Sequence, residues 1–260
     1  MGGASCGAPA HGLHTSSEPS LSIQDPATRQ LWAALRHRLA EISARHPDAA
    51  LASSLGVEDM LLSHAIFQDG LPIRVFTLDT GRLPVETLGM IDTIAQRYGV
   101  ALDVLRPDPE AVADHVGRHG AFAFYESVDL RKACCAIRKV EPLRQALKGR
   151  SAWLTGQRRA QSQTRVHLQE REFDEVFGLL KYNPLRDWDS DQVWSVVRAL
   201  DIPYNPLHDQ GYPSIGCEPC TRAVRADEDE RAGRWWWEQT ASRECGLHAG
   251  NLRSVAPASS

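Results

Sequence analysis

The residues in this chain whose types and spacing could do chemistry are first of all two cysteine pairs, Cys134-Cys135 and Cys217-Glu218-Pro219-Cys220. Four thiolates gathered as two close pairs can hold a zinc ion or a four-iron cluster. The CxxC pair suits either metal. Adjacent cysteines are the unusual part: in extended backbone neighbouring side chains diverge, so two adjacent ligands need a helix or tight turn and crowd one face of the metal. A cubane with its irons spread apart accommodates such crowding more readily than one tetrahedral ion. The plainer alternatives are buried unligated thiols or a zinc staple.

A further cysteine stands in Glu244-Cys245-Gly246-Leu247-His248. Outside the four-cysteine set and followed by Gly, it has little use in a core, which points to reactivity. Nearby positive charge activates a thiol by lowering its pKa, and Arg231, Arg234 and Arg243 precede it. His248 is available as a cation or general base. The alternative is a solvated free thiol. Basic residues also gather at Arg131, Lys132, Arg138 and Lys139, at Arg158, Arg159 and Arg165, and at Arg231 and Arg234. Guanidinium forks match phosphate and sulfate oxygens, so convergence of this set would make an anion site, whereas each alone is a surface charge. The loop Ser53-Ser54-Leu55-Gly56-Val57-Glu58-Asp59 offers backbone N–H groups and a helix N-terminus to an anion, although it is neither GxGxxG nor GxxxxGK[ST]. Trp235-Trp236-Trp237 reads as packing or a lid.

These residues need a scaffold, and 260 residues with 42% hydrophobic and 24% charged content suffice for one α/β domain. An amphipathic helix carries Leu31, Leu35, Leu39 and Ile42 and ends near His46-Pro47. Strands are expected at 49–53, 73–78, 102–105 and 152–155, with helices at 58–68 and 84–98. This alternation predicts a mainly parallel sheet with helices on both faces, and ligands at the carboxyl ends of its strands. Residues 203–248, rich in Gly, Pro, Cys and Trp, should lie as irregular structure across that edge. The expected organisation is a disordered tail at 1–27, a nucleotide-binding domain at 28–240 and a mobile tail at 241–260 carrying Cys245.

A net charge of −4 gives no bulk footprint for nucleic acid or an anionic membrane. The N-terminal residues lack a basic n-region and an apolar h-region, and no apolar run has the length of a membrane span. Six cysteines without a secretory signal are better suited to metal or redox chemistry than to a disulfide framework, which predicts a reducing, cytoplasmic setting.

Taken together, the motifs from about residue 49 to 248 resemble those of the adenylyl-sulfate reductases of assimilatory sulfate reduction. The residues that carry the resemblance are the Ser53 to Asp59 loop, Leu78-Asp79-Thr80-Gly81-Arg82, Cys134-Cys135-Ala136-Ile137-Arg138-Lys139-Val140-Glu141-Pro142-Leu143, Thr155-Gly156-Gln157-Arg158-Arg159, Cys217-Glu218-Pro219-Cys220 and Glu244-Cys245-Gly246-Leu247-His248. The resemblance implies an adenine-nucleotide α-hydrolase-like fold related to the PP-loop ATP pyrophosphatases. It also implies a [4Fe-4S] cluster on Cys134, Cys135, Cys217 and Cys220, because the branch that reduces the 3'-phosphorylated nucleotide typically lacks these four. In the implied mechanism Cys245 takes sulfite from adenylyl sulfate as S-sulfocysteine, AMP leaves, and thioredoxin releases the sulfite. His248 and Lys139 would assist catalysis. Arg158, Arg231 and Arg234 would neutralise the phosphosulfate, and Ser53, Ser54, Leu78, Thr80, Gly81, Arg82 and Gly156 would form the nucleotide pocket. A 3'-phosphoadenylyl-sulfate reductase is the first alternative. An ATP-using PP-loop transferase is another, but it predicts an SGGxDS-like loop where Leu55-Gly56-Val57 follows the serines. A zinc-stapled binding module leaves Cys245 and the arginines unused. Self-association into a homo-oligomer stays open.

Overall fold

The structure, a computed structural model, describes residues 23, 25–162 and 165–238. Cys245, His248, Arg243 and the expected C-terminal tail at 241–260 lie outside them. Helix α1 spans Pro26–Arg45, so the domain starts earlier than the expected boundary at residue 28. The reason is local. Asp25 accepts a hydrogen bond from the Thr28 N–H at 2.7 Å and Pro26 occupies the first turn, an N-cap followed by a residue whose missing N–H costs a helix nothing there. Ile23, just before the cap, is buried in the core.

The chain then alternates β1 (Ala50–Ser53), α2 (Val57–Gln68), β2 (Arg74–Leu78), α3 (Val85–Tyr98) and β3 (Asp103–Leu105), in agreement with the strand and helix periods read from the sequence. Helices α4 (Pro109–His119), α5 (Val128–Cys135) and α6 (Glu141–Leu147) lead to β4 (Ala152–Leu154), followed by β5 (Arg171–Asp174), β6 (Leu179–Tyr182) and α7 (Ser190–Ala199). The six strands are ordered β3-β2-β1-β4-β6-β5. Every pair is parallel except β5 with β6. Alternate strand residues feed opposite faces, as a pleated strand dictates. Leu51, Val75 and Leu154 enter a core with α1, α2, α3 and α7, while Ala50, Phe76 and Trp153 pack on Leu143, Ala146 and Leu147 of α6. The expected mainly parallel sheet with helices on both faces is therefore present.

Helices α5 and α6 are joined without a break by a π-helical turn, Ala136–Val140. Pro142 accounts for it: a proline in a helix cannot donate to the carbonyl four residues back and its ring presses on that group, so the turn before it widens. Residues 203–238 hold little regular structure, as expected. They include two 3-10 turns, Pro206–Gln210 and Glu218–Cys220, and one antiparallel bridge, Thr221 to Arg234. Among the described residues no helix is long and apolar enough to cross a membrane.

Leu39 of α1 is fully buried in the larger core. Leu39→Ala should lower unfolding stability by about 2–5 kcal/mol through lost burial and a residual cavity. Urea titration should show a lower midpoint with an unchanged slope, and an unchanged midpoint would contradict this packing.

Candidate active site

Strand order reverses at β1 and β4, since connections leave β1 towards β2 on one side while β4 lies on the other. Loops diverge at such a switch point and leave a crevice, the usual ligand site of open α/β sheets. The cavity here includes Ser53, Ser54 and Gly56 after β1, Leu78 and Thr80 after β2, and Thr155, Gly156 and Gln157 after β4 in its wall. Lys139 from the π turn and Arg231 and Arg234 from the last described segment complete it.

Asp59, near the start of α2, ties the two diverging loops together. One carboxylate oxygen accepts the Ser54 N–H at 2.7 Å and the Ser54 hydroxyl at 2.5 Å, and the other accepts the Gly156 N–H at 2.9 Å. The approach is so close that a Cβ on Gly156 would stand 2.5 Å from Asp59 Oδ1 and 2.8 Å from Glu58 Cβ, so only glycine fits. Burial pushes the Asp59 pKa from 3.8 up to about 6, against the lowering effect of its hydrogen bonds and with the Glu58 charge adding to the rise. Leu55, between these serines and α2, has a φ of 61° although it is not glycine, a strained backbone held by its fully buried side chain. The N-terminus of α2 has no side-chain cap of its own, and His208 supplies one by accepting the Val57 N–H on Nε2 at 3.2 Å. Burial lowers the His208 pKa, which favours the neutral ring this role needs.

Of the residues expected to bind substrate, Ser53, Ser54, Leu78, Thr80, Gly156, Arg231 and Arg234 reach this cavity, and so does Lys139. Three do not. Arg158 is 2% exposed and bound to Glu58 at 2.8 Å and Glu230 at 3.1 Å, so its charge serves to hold the β1 and β4 loops to the last described segment. Gly81 turns at a φ of 68° with its N–H on Asp79. Arg82 lies over the rings of Phe122 and Phe124 and lines the cysteine cavity instead. The structure adds Gln157, Gln161, His208 and Gly216 to the wall, and it brings Arg165 of the expected basic set there as well. Gly216 had no sequence signal. A Cβ there would stand 2.2 Å from Arg234 Nη2, so this glycine leaves room for the guanidinium.

Cys134, Cys135, Cys217 and Cys220 line one small cavity together with Arg82, Phe124, Arg131, Arg138 and Lys139. None of the four is in a disulfide. Helix α5 ends on the adjacent pair and the Glu218–Cys220 turn presents the second, which answers the need for a helix or tight turn at both. Thr80 Oγ1 lies 3.2 Å from Cys217 Sγ. Burial raises the thiol pKa of Cys134, and burial with the neighbouring Cys217 pushes Cys220 up to about 12. Among the described residues no three His, Cys, Asp or Glu side chains are grouped to hold a single metal ion. The donor set fits a group wider than one ion: four sulfurs from two segments, ringed by cations that would balance four thiolates. Trp235 packs on Cys135, Cys217 and Cys220, has a φ of 43°, and carries a buried indole N–H with no hydrogen-bond partner among the described residues. Arg131 lies over that indole at 4.8 Å and forms a buried, two-pronged bond to Glu238 with both contacts at 2.8 Å. The α5 helix and the segment carrying Arg231 and Arg234 are thereby locked together.

The open, mainly parallel α/β architecture is shared with yeast FAD synthetase, which aligns with a TM-score of 0.53 at 15% identity over 76% of this chain and 67% of that one, a likeness of fold alone. Residues 48–223 match the profile described as the phosphoadenosine phosphosulfate reductase domain, and the chain belongs to that family. It is 57% identical over 217 residues to the adenosine 5'-phosphosulfate reductase of Burkholderia cepacia, covering 84% of this chain and 87% of that protein. The adenosine 5'-phosphosulfate reductase of Allochromatium vinosum is 52% identical over 240 residues, with 92% of each chain covered. The phosphoadenylyl-sulfate reductase of Candida auris superposes with a TM-score of 0.62 at 27% identity, covering 79% of this chain and all of that one.

Two outcomes follow from the Asp59 tie. Gly156→Ala should lower unfolding stability by about 1–3 kcal/mol, the usual cost of overpacking, and a lower urea midpoint checks it. A carboxyl with a raised folded-state pKa holds its proton more tightly in the folded protein, so stability should fall as pH rises from about 4 through about 6. Thermal unfolding across that range should show the fall in the wild type and its loss in Asp59→Asn; equal slopes would contradict the assignment.

Proposed function

We propose that the chain reduces adenylyl sulfate to sulfite and AMP through a covalent intermediate on Cys245. The observation that carries this reading is that the cation-lined crevice and the four-cysteine cavity share Lys139 as a common wall. The named activity of the close bacterial relatives agrees with it.

The nucleotide fits the crevice by its chemistry. Ser53, Ser54 and Gly156 offer polar groups around the stapled loops, and Lys139, Arg231 and Arg234 offer positive charge to the phosphosulfate. Fixed cations act most strongly where charge develops in a site shielded from water, here on the phosphate oxygen that leaves as AMP. The Cys245 thiolate attacks the sulfur, the sulfur–oxygen bond to AMP breaks, and S-sulfocysteine remains. A thiolate of an external dithiol protein, by family resemblance thioredoxin, then attacks Cys245 Sγ, expels sulfite and leaves a mixed disulfide. Its second thiol closes the donor's own disulfide and returns Cys245, so the donor supplies both electrons. His248 is assigned to assist Cys245 as a cation or base. A [4Fe-4S] cluster on Cys134, Cys135, Cys217 and Cys220 would contribute a fixed charge beside Lys139 and a covalent tie between α5 and the 217–220 turn. A reducing compartment such as the cytoplasm keeps such thiols out of disulfides. The 3'-phosphorylated nucleotide is the second reading, favoured by the likeness to the Candida auris structure at lower identity.

Anaerobically purified protein incubated with adenylyl sulfate and no thiol donor should gain the mass of one SO3, with AMP released in equal amount. Cys245→Ser should abolish both. No adduct from protein with full iron content would overturn adenylyl sulfate as the substrate, and adduct formed instead from the 3'-phosphorylated nucleotide would establish the second reading. Cys220→Ser should lose iron and acid-labile sulfide together, whereas zinc in place of iron in the wild type would remove the cluster assignment.

A further inference from the structure

Gln157 stands out in the crevice wall. Its side chain is 4% exposed, yet neither the amide oxygen nor the amide nitrogen has a hydrogen-bond partner among the described residues. A buried amide left unsatisfied at both ends loses its hydration with nothing in return, so such atoms normally meet a partner. The residue is not loosely held. Its backbone N–H donates to Thr155 Oγ1 at 3.3 Å, and that hydroxyl donates to the fully buried Asn183 Oδ1 at 2.6 Å. Its location, in a wall of the nucleotide crevice rather than in the core, points to a ligand as the missing partner.

The chemistry of the amide narrows which part of the ligand. It offers donors at one end and an acceptor at the other, so its partner must both give and take hydrogen bonds. Phosphate and sulfate oxygens at neutral pH only accept. A cis-diol does both, and so does an adenine edge. Topology separates the two. Of the apolar wall residues, Leu78 and Leu143 pack in one cluster with Trp153 on the α6 face of the sheet and Leu83 follows β2, while Pro213 and Ile215 come from the last described segment; Gln157 follows β4 on the other side of β1. The anion-binding groups Lys139, Arg231 and Arg234 form a third part of the wall. We propose that the Gln157 side chain hydrogen-bonds the ribose hydroxyls of the bound nucleotide, and that it is a substrate-contacting, specificity-determining residue. This inference rests on the nucleotide reading of the crevice. A site built to hydrogen-bond a hydroxyl discriminates strongly against a ligand that lacks it, because its own buried groups are then left unpaired. A 3'-phosphate removes one such hydroxyl proton.

The test compares AMP with 2',3'-dideoxyadenosine 5'-monophosphate by calorimetry on the intact protein. Gln157→Met keeps length and volume but cannot hydrogen-bond through an amide. It should weaken AMP about tenfold, the equivalent of roughly 1.4 kcal/mol, and leave the dideoxy nucleotide unchanged, so the two ligands become alike. Equal weakening of both would assign the residue to the base or to general packing and overturn the proposal, and so would no change in either. Gln157→Glu keeps an acceptor for the hydroxyls and repeats the comparison should the Met variant not fold; it should weaken AMP less and adenosine 3',5'-bisphosphate more. A wild-type protein that binds neither AMP nor the dideoxy nucleotide would remove the nucleotide reading itself, an outcome distinct from the variant results.

Discussion

One buried carboxylate holds the site in being. Asp59 takes three hydrogen bonds from two loops that the sheet topology sends in different directions. Without it Ser54 and Gly156 would lose the acceptor they share, and among the described residues only the Glu58 contacts to Arg158 and Gln161 would still join the carboxyl ends of β1 and β4. The arrangement explains its own restrictions: glycine at 156, a left-handed Leu55, and a histidine from a distant segment completing the cap of α2. Its cost is a charge placed where water does not reach, and the raised pKa of Asp59 records that cost.

The cysteine cavity is built on a different principle. Its sulfurs belong to helix α5 and to the turn Glu218–Cys220 with its cap Cys217, and polar bonds tie the turn and the π turn after α5 to the loop following β2, and the turn to the last described segment. Glu218 N–H donates to the Arg82 carbonyl at 2.8 Å, Trp235 N–H to the Cys220 carbonyl at 3.1 Å, and Arg138 Nη1 to the Thr80 carbonyl at 2.7 Å. The π turn matters here because it resets the phase of the helix, so Arg138 reaches the β2 loop while Lys139 faces both cavities. A substrate in one cavity and a cofactor in the other would thus feel the same ammonium group.

What the sequence disclosed and what it withheld follow from how far each signal reaches. Periodicity is local, so α1, β1, α2, β2, α3 and β3 were legible from Leu35, Leu39, Val75 and their like. Helix α7 opens on a capping box, Asp189 with Gln192, and α4 on Asp108-Pro109, start signals that are present in the sequence although neither helix is among the expected elements. Strands β5 and β6 are four residues each, and β6 contains a buried Lys181 paired with Glu172, a pattern that period alone reads as polar loop. Motif residues reached the crevice where their backbone placed them there. Arg158 did not, because the function of a guanidinium depends on which carboxylates lie near it in space, and Glu58 and Glu230 are remote in sequence. Gln157 and Gly216 were hidden for a related reason: one is defined by partners it lacks, the other by a side chain that passes over it.

The Arg131 and Glu238 pair has a consequence for descent. The two residues are 107 positions apart and nearly without solvent contact. Losing either alone strands a charge in the interior, typically at a cost of 3–5 kcal/mol, while replacing both by apolar residues of like volume is often neutral. Single-step mutational paths away from the pair therefore cross a valley comparable to much of a domain's total stability. Lineages should keep both residues or neither, so comparing sequences position by position would find these two varying together although they contribute no group to the crevice.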